Sequence, residues 1–323
     1  MDQIPVDTVQ AAVQTAGRAP SLHNSQPWRW VFGGDRLDLF AVPDRMLPDT
    51  DPTGRQMFLS CGIALGHLRT ALDAEGWHTV LEHCPDPNRY THAATVRFVP
   101  HPAVTAAERE RAEAIRLRRT DRLPLLPPAE WDDVETVLRS MFDPADTMLD
   151  VLPEAAQPVL AHASRLTGAL RHRDVEYQAE LGWWTGVSGP DVGIPRSALV
   201  TSAERARVPI GRDFPVTHEQ ARRDTVIDRA TLLVLSTDSD DRRDVLRCGD
   251  AMSTILLECT VDRLATCVLT HLTEYPRSRA IVAELIGRRG CPQALIRVGI
   301  APEGPEPVRT PRLPLREILR IVR

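Results

Sequence analysis

Valines at positions 6, 9 and 13 recur at helical spacing behind Pro5, which predicts a short amphipathic helix over 5–17 with Gly17 as its stop. A turn-rich stretch follows, Ala19-Pro20-Ser21-Leu22-His23-Asn24-Ser25-Gln26-Pro27. Two runs, Trp28 to Phe32 and Arg36 to Phe40, flank Gly33-Gly34-Asp35 and read as a hairpin. The strongest helical pattern covers 54–76, with Phe58, Cys61, Leu65, Leu68 and Leu72 on one face and Gly76 at its end. Gly62 and Gly66 inside it cost helix propensity, so their small size points to close packing against another helix. Ala94 to Val99 reads as a strand.

Thr105 and Glu108 form a capping-box pattern that opens a charged helix. The pattern carries this helix on into Arg118-Arg119-Thr120-Asp121-Arg122, until Pro124, Pro127 and Pro128 stop it. Further helices are predicted over 131–142 and 154–180, a strand over 230–236, a long helix over 242–262 and a strand over 294–300. Between them, 182–215 holds nine glycines and prolines and reads as one long loop, a length usual for lids and binding loops. The string Cys61-Gly62-Ile63-Ala64 is echoed by Cys248-Gly249-Asp250-Ala251, each deep in a long helix with a strand further on. That echo suggests two related halves in one chain.

Composition narrows the function. At 323 residues, 42% hydrophobic and 26% charged, the chain has ordinary globular character. It has no apolar run long enough for a membrane span and no basic segment ahead of an apolar core at its start. Six scattered cysteines without a CxxC pair read as reduced and cytoplasmic. A net charge of −5 argues against nucleic acid as a partner. All 39 basic residues are arginine, which excludes Schiff-base lysine chemistry and the P-loop lysine. Any bound phosphate would be held by arginine, backbone amides or hydroxyls. The common hydrolase, zinc-protease, Rossmann and P-loop signatures are missing, and the histidine and cysteine spacings suggest no metal site.

Ala-Pro-Ser-Leu-His-Asn-Ser-Gln-Pro-Trp-Arg-Trp at 19–30 resembles the flavin-binding loop of the nitroreductase family. With Arg-Arg-Thr-Asp-Arg at 118–122, the chain resembles the Acg branch, in which a two-subunit flavoprotein has been fused into one chain. The resemblance implies an α+β, nitroreductase-like fold, internally duplicated, with helices around central antiparallel or mixed sheets. It implies halves at 1–104 and 105–323, intertwined as one globular unit, with a lid at about 182–215.

Residue by residue, the resemblance implies an FMN phosphate clamp at Arg118, Thr120 and Arg122, with threonine in place of the family's serine. Arg312 matches a further arginine before Leu-Pro, and Pro20, Ser21 and Asn24 match the loop beside the isoalloxazine and ribityl chain. Thr270 and His271 fall in the segment facing flavin N5 and O4. Leu22 replaces a second serine, and His271 and Arg263 stand where the family commonly has glycine. One clamp and one loop make one complete site, so one FMN per chain and a sufficient monomer are expected.

The function implied is NAD(P)H-dependent flavin oxidoreduction toward a small oxidised acceptor, with no side chain required as acid or base. A flavin store with a lid-closed site is the alternative, and a plain structural or interaction protein is a third reading. NAD(P)H consumption separates the first two, and yellow colour separates both from the third.

Overall fold

Pro5 precedes α1 (Val6–Ala16), which buries Val9 and Val13 as the valine spacing predicts. The computed structural model describes residues 3–187, 192–217, 221–223, 225–287, 290–304 and 309–322. After α1 come β1 (Trp28–Phe32), β2 (Arg36–Ala41), α2 (Arg55–Ala74), β3 (Trp77–His83), β4 (His92–Pro100) and α3 (Ala106–Leu117). The chain continues through α4 (Trp131–Ser140), β5 (Met148–Leu152), α5 (Gln157–His172), α6 (Val175–Gly182), α7 (Ser202–Ala206) and β6 (Thr231–Thr237). It then forms α8 (Arg242–Val261), β7 (Ala265–Leu269), α9 (Pro276–Ile286), β8 (Cys291–Gly299), α10 (Leu315–Ile318) and β9 (Leu319–Ile321).

These elements fall into two compact units. The first comprises Met1–Arg118, Asp240–Val261 and Pro311–Arg323, and the second Arg119–Ser239 and Asp262–Thr310. Helices α3 and α8 and the last thirteen positions belong with the N-terminal residues in the first unit.

In the first unit the strand order is β3-β4-β2-β1-β9. The pairings are antiparallel except for β9, which lies parallel to β1. Helix α2 is buried continuously from Gln56 to Leu68, beyond what an amphipathic surface helix would bury. Its partner is α8, and they meet at glycine. A Cβ on Gly62 would stand 2.9 Å from Gly249 Cα, and one on Gly249 would stand 2.7 Å from Gly62 Cα. Each would also collide with the carbonyl three residues before the other glycine, Leu246 for Gly62 and Leu59 for Gly249. The echoed strings therefore touch each other reciprocally, as in a two-fold interface. Four residues further along each helix, Gly66 meets Ser253.

The second unit is built on an antiparallel sheet of order β5-β6-β8-β7. Leu232, Val234, Leu269 and Leu295 of its strands pack with Leu160 of α5 and Val282 of α9. Arg297 lies inside β8 at 1% exposure, paired with Asp228 and donating to the Leu123 carbonyl at 3.0 Å.

Four features depart from the sequence pattern. The charged helix stops at Leu117, because beyond it Thr120 bridges Thr266 and the Asp121 amide donates to the Thr266 carbonyl at 2.8 Å. The helix expected over 154–180 breaks at Asp174, whose side chain caps α6 by accepting from the Tyr177 amide at 3.0 Å. The stretch 182–215 is no plain loop, since α7 forms behind a Thr201–Glu204 capping box; residues 188–191 lie outside the described residues. Strands β3, β5, β7 and β9 and helices α9 and α10 have no counterpart in the sequence pattern. Among the described residues, no helix is long and apolar enough to cross a membrane.

Candidate functional site

The loop after α1 carries the motif and is held in a costly conformation. His23, Asn24 and Gln26 all have left-handed φ, at 46°, 59° and 49°. Such strain in side-chain-bearing residues persists only where the surroundings over-determine it, and it concentrates at ligand sites. Here the surroundings are specific. The Gln26 amide donates to Ser21 Oγ at 2.9 Å, and the Leu22 amide to Ser60 Oγ of α2 at 3.3 Å. The C-terminal segment clasps the same loop: Asn24 Nδ2 donates to the Pro311 carbonyl at 3.0 Å, and the Leu313 amide to Gln26 Oε1 at 2.9 Å.

Arg312 is positioned by that clasp. It donates to Asn24 Oδ1 at 3.0 Å and to the Arg18 carbonyl at 3.0 Å. Arg118, just past the end of α3, also reaches the Arg18 carbonyl, at 3.5 Å. Two guanidinium side chains thus converge on the Arg18 carbonyl within the first unit. Arg118 is only 7% exposed, and its Nε is buried with no hydrogen-bond partner among the described residues. Burial, then the charge of Arg18, pushes the Arg118 pKa down to about 10. Burial, then the charges of Arg118 and Arg18, pushes Arg312 down to about 9. Buried like charges of this kind fit a site that receives an anion, since a phosphate would offset both desolvation and repulsion.

His67 belongs to the same cluster. It is fully buried on α2, Nδ1 lies 2.7 Å from Ser253 Oγ, and Nε2 has no hydrogen-bond partner among the described residues. Burial first, then Arg118 and Arg312, holds it well below the ordinary histidine range, so it is neutral. The sequence pattern singled out neither Arg18 nor His67. Arg18 adjoins the loop motif and His67 follows Gly66 at the helix contact, and those positions are the available signals.

The remaining predicted residues lie in the second unit. Thr120 is half-buried on its bridge to Thr266. Arg122 is half-buried with its guanidinium 5.2 Å from the Phe214 ring centre, and burial lowers its pKa. Thr270 Oγ1 accepts from Arg212 at 3.1 Å. Arg212 also donates to the Tyr177 hydroxyl at 2.9 Å and pairs with Glu274, which Arg171 approaches at 3.4 Å. Burial alone would raise the Glu274 carboxyl, but Arg212 and Arg171 hold it net low. The His271 ring turns inward, with Nε2 2.9 Å from Ser164 Oγ. Burial, then Arg212, pushes its pKa down to about 3. Arg263, at a position where glycine is common in the family, keeps left-handed φ at 59°.

So the structure brings Arg118, Arg312, Ser21 and Asn24 into one bonded cluster, with Pro20 in the same loop. It sets Thr270 beside the Arg212–Glu274 pair, and gives Thr120 and Arg122 separate contacts in the second unit.

The fold is α+β, with helices packed on largely antiparallel sheets, and it is shared with known proteins. A solved structure described as "a putative nitroreductase" from Anabaena variabilis superposes with TM-score 0.50 over 93% of this chain and 90% of its own, at 9% identity, and so shares the fold. No family model matches the sequence. A Mycobacterium tuberculosis protein named "Putative NAD(P)H nitroreductase acg" is 48% identical over 320 residues, spanning 98% of this chain and 97% of its own. A second, uncharacterized protein from that organism is 50% identical over 316 residues, spanning 96% of this chain and 92% of its own. On that full-length identity the chain belongs to the nitroreductase family, in its Acg branch.

Proposed function

We propose that this chain binds one FMN and acts as an NAD(P)H-dependent flavin oxidoreductase toward a small oxidised acceptor. The observation that carries the reading is the buried arginine cluster of Arg118 and Arg312 around the Arg18 carbonyl. In a chain without lysine, guanidinium forks are the charged groups that can meet a phosphate, and they suit its oxygens in bidentate fashion. When bound, FMN would supply the redox chemistry, accepting a hydride and passing two electrons on.

The chain's own residues bind and orient. Arg118 and Arg312 would hold the phosphate, while Asn24 fixes the Arg312 guanidinium through its side-chain oxygen. Ser21 Oγ already accepts from the Gln26 amide, which leaves its O–H to donate toward a flavin oxygen. Pro20 restricts the loop that presents these groups. In the second unit the family resemblance assigns Thr120, Arg122, Thr270 and His271 to the cofactor. His271, neutral and bonded to Ser164, would contribute through its backbone, its side chain being directed away. The reciprocal contact of Gly62 and Gly249 supports descent from a duplicated, fused subunit, in which a single chain suffices.

One observation favours a second reading, in which flavin is stored behind a closed lid. Within the second unit, Arg212 and Phe214 of the 182–215 stretch rest on Thr270 and Arg122, two residues assigned to the cofactor. The visible spectrum of FMN-loaded protein under anaerobic NADPH decides between the two. Bleaching establishes the reductase, a persistent yellow spectrum establishes storage, and failure to retain FMN overturns both.

A further inference from the structure

Three side chains outside the arginine cluster converge where the β3–β4 ribbon meets the first turn of α3. His78 of β3 lies opposite Val99 of β4, and the His101 amide donates to the Gly76 carbonyl at 2.7 Å. His101 follows Val99 by two, so the two histidines share one face of the ribbon on a diagonal. Their rings stack with centres 3.7 Å apart and planes 17° apart. Glu108 faces them, each carboxylate oxygen 3.2 Å from His101 Nε2. One ligand atom from each of the three residues lies within 4.8 Å of the others.

We propose that His78, His101 and Glu108 form a site for a divalent transition-metal ion of the zinc class, with Asp73 orienting His78. Two imidazoles and one carboxylate are a ligand set that Zn(II) accepts, with solvent completing the coordination. The neighbouring groups are arranged as metal sites arrange them. Asp73 Oδ1 lies 2.7 Å from His78 Nδ1, so that nitrogen carries the proton and Nε2 keeps its lone pair for an ion. Glu108 is fixed independently of the histidines by the Thr105 amide at 2.7 Å and hydroxyl at 2.8 Å. His78 is exposed, so its ring is free to tilt out of the stack until both Nε2 atoms aim at one point. To ligate through Nε2, His101 would give up its hydrogen bond to Glu108, the proton leaving that nitrogen for Nδ1 or for water. No motif spacing announces this set, because strand register brings positions 78 and 101 together and the helix cap adds position 108.

The test is calorimetric titration of the full chain with ZnCl2, comparing wild type with His78→Gln/His101→Gln. Glu108 is left intact because it caps α3. The variant should lose one zinc equivalent, or bind it at least about tenfold more weakly, and Asp73→Asn should weaken it by roughly 10–100-fold. Co(II) should give nitrogen–oxygen ligand-field bands in wild type that vanish in the variant, which separates this site from any thiolate binding. Should the double variant fail to fold, His78→Gln alone carries the comparison, since its side chain is exposed. Equal zinc stoichiometry and affinity in wild type and variant, or no zinc bound by wild type, overturns the proposal.

Discussion

Replacing Gly62 by alanine sets two effects of opposite sign against each other. Alanine is the better helix former by about 1 kcal/mol in a helix interior, so an open position would be stabilised. At position 62 the added methyl would stand 2.9 Å from Gly249 Cα and closer still to the Leu246 carbonyl oxygen. Both obstacles are backbone of a buried helix, so relief requires moving α8 as a body rather than turning a side chain. Overpacking of a dense core costs about 1–3 kcal/mol, occasionally more, and with rigid neighbours the upper end applies. The net expectation is a loss of about 1–2 kcal/mol after the propensity gain. For a cooperative unit of roughly 150 residues, that lowers Tm by about 2–8 °C. Gly168→Ala in α5 is the control, because its added methyl would meet Asp213 at 3.5 Å, an ordinary contact. Thermal unfolding followed by circular dichroism should therefore move the two variants in opposite directions. Gly249→Ala should match Gly62→Ala, and the double variant should fall short of the sum, since both methyls disturb one contact. A Gly62→Ala chain that melts above wild type would refute the helix-contact argument.

Two other outcomes follow from buried charge in the second unit. Arg297→Ala strands Asp228 beside β8 and should lower stability by about 3–5 kcal/mol in denaturant melts, while Arg297→Met should lose less because it fills the space. His271 has a folded pKa of about 3 against an ordinary 6.5, so the neutral form is the one the fold tolerates. Its contribution is fully present above pH 6.5 and is lost as pH falls toward 3, because the unfolded chain takes up the proton first. The denaturant midpoint of His271→Asn should therefore fall less steeply over that window than that of wild type.

Much of the fold is legible where a single period dominates. The valines of α1, the face of α2 and the capping box of α3 each predict their element to within a few residues. Small residues in α2 predict a close helix contact, and the echoed Cys-Gly strings mark both sides of it. What escaped is what partners decide. Strand β3 alternates half-buried and exposed positions with polar residues among them, and it becomes a strand because β4 pairs with it along its whole length. The helical reading of 118–122 fails because Thr266 offers a bridge. The motif at 19–30 and Arg118 locate the arginine cluster, whereas Arg18 and His67 are marked only by their places beside the motif and at the helix contact, and chain crossings bring them in.

The central claim is that the buried Arg118–Arg312 cluster is an FMN phosphate site. Fluorescence titration of apoprotein with FMN and with phosphate-free riboflavin, in wild type, Arg118→Ala and Arg109→Ala, tests it most directly. A hydrogen bond to a charged group contributes about 1.5–3 kcal/mol, so Arg118→Ala should weaken FMN binding by roughly 10- to 150-fold. Riboflavin affinity should barely change, because the lost guanidinium has no phosphate to meet. Arg109, exposed on α3 outside the cluster, should be replaceable without effect on either ligand. Equal FMN affinity in wild type and Arg118→Ala, or equal losses for FMN and riboflavin, would contradict the assignment.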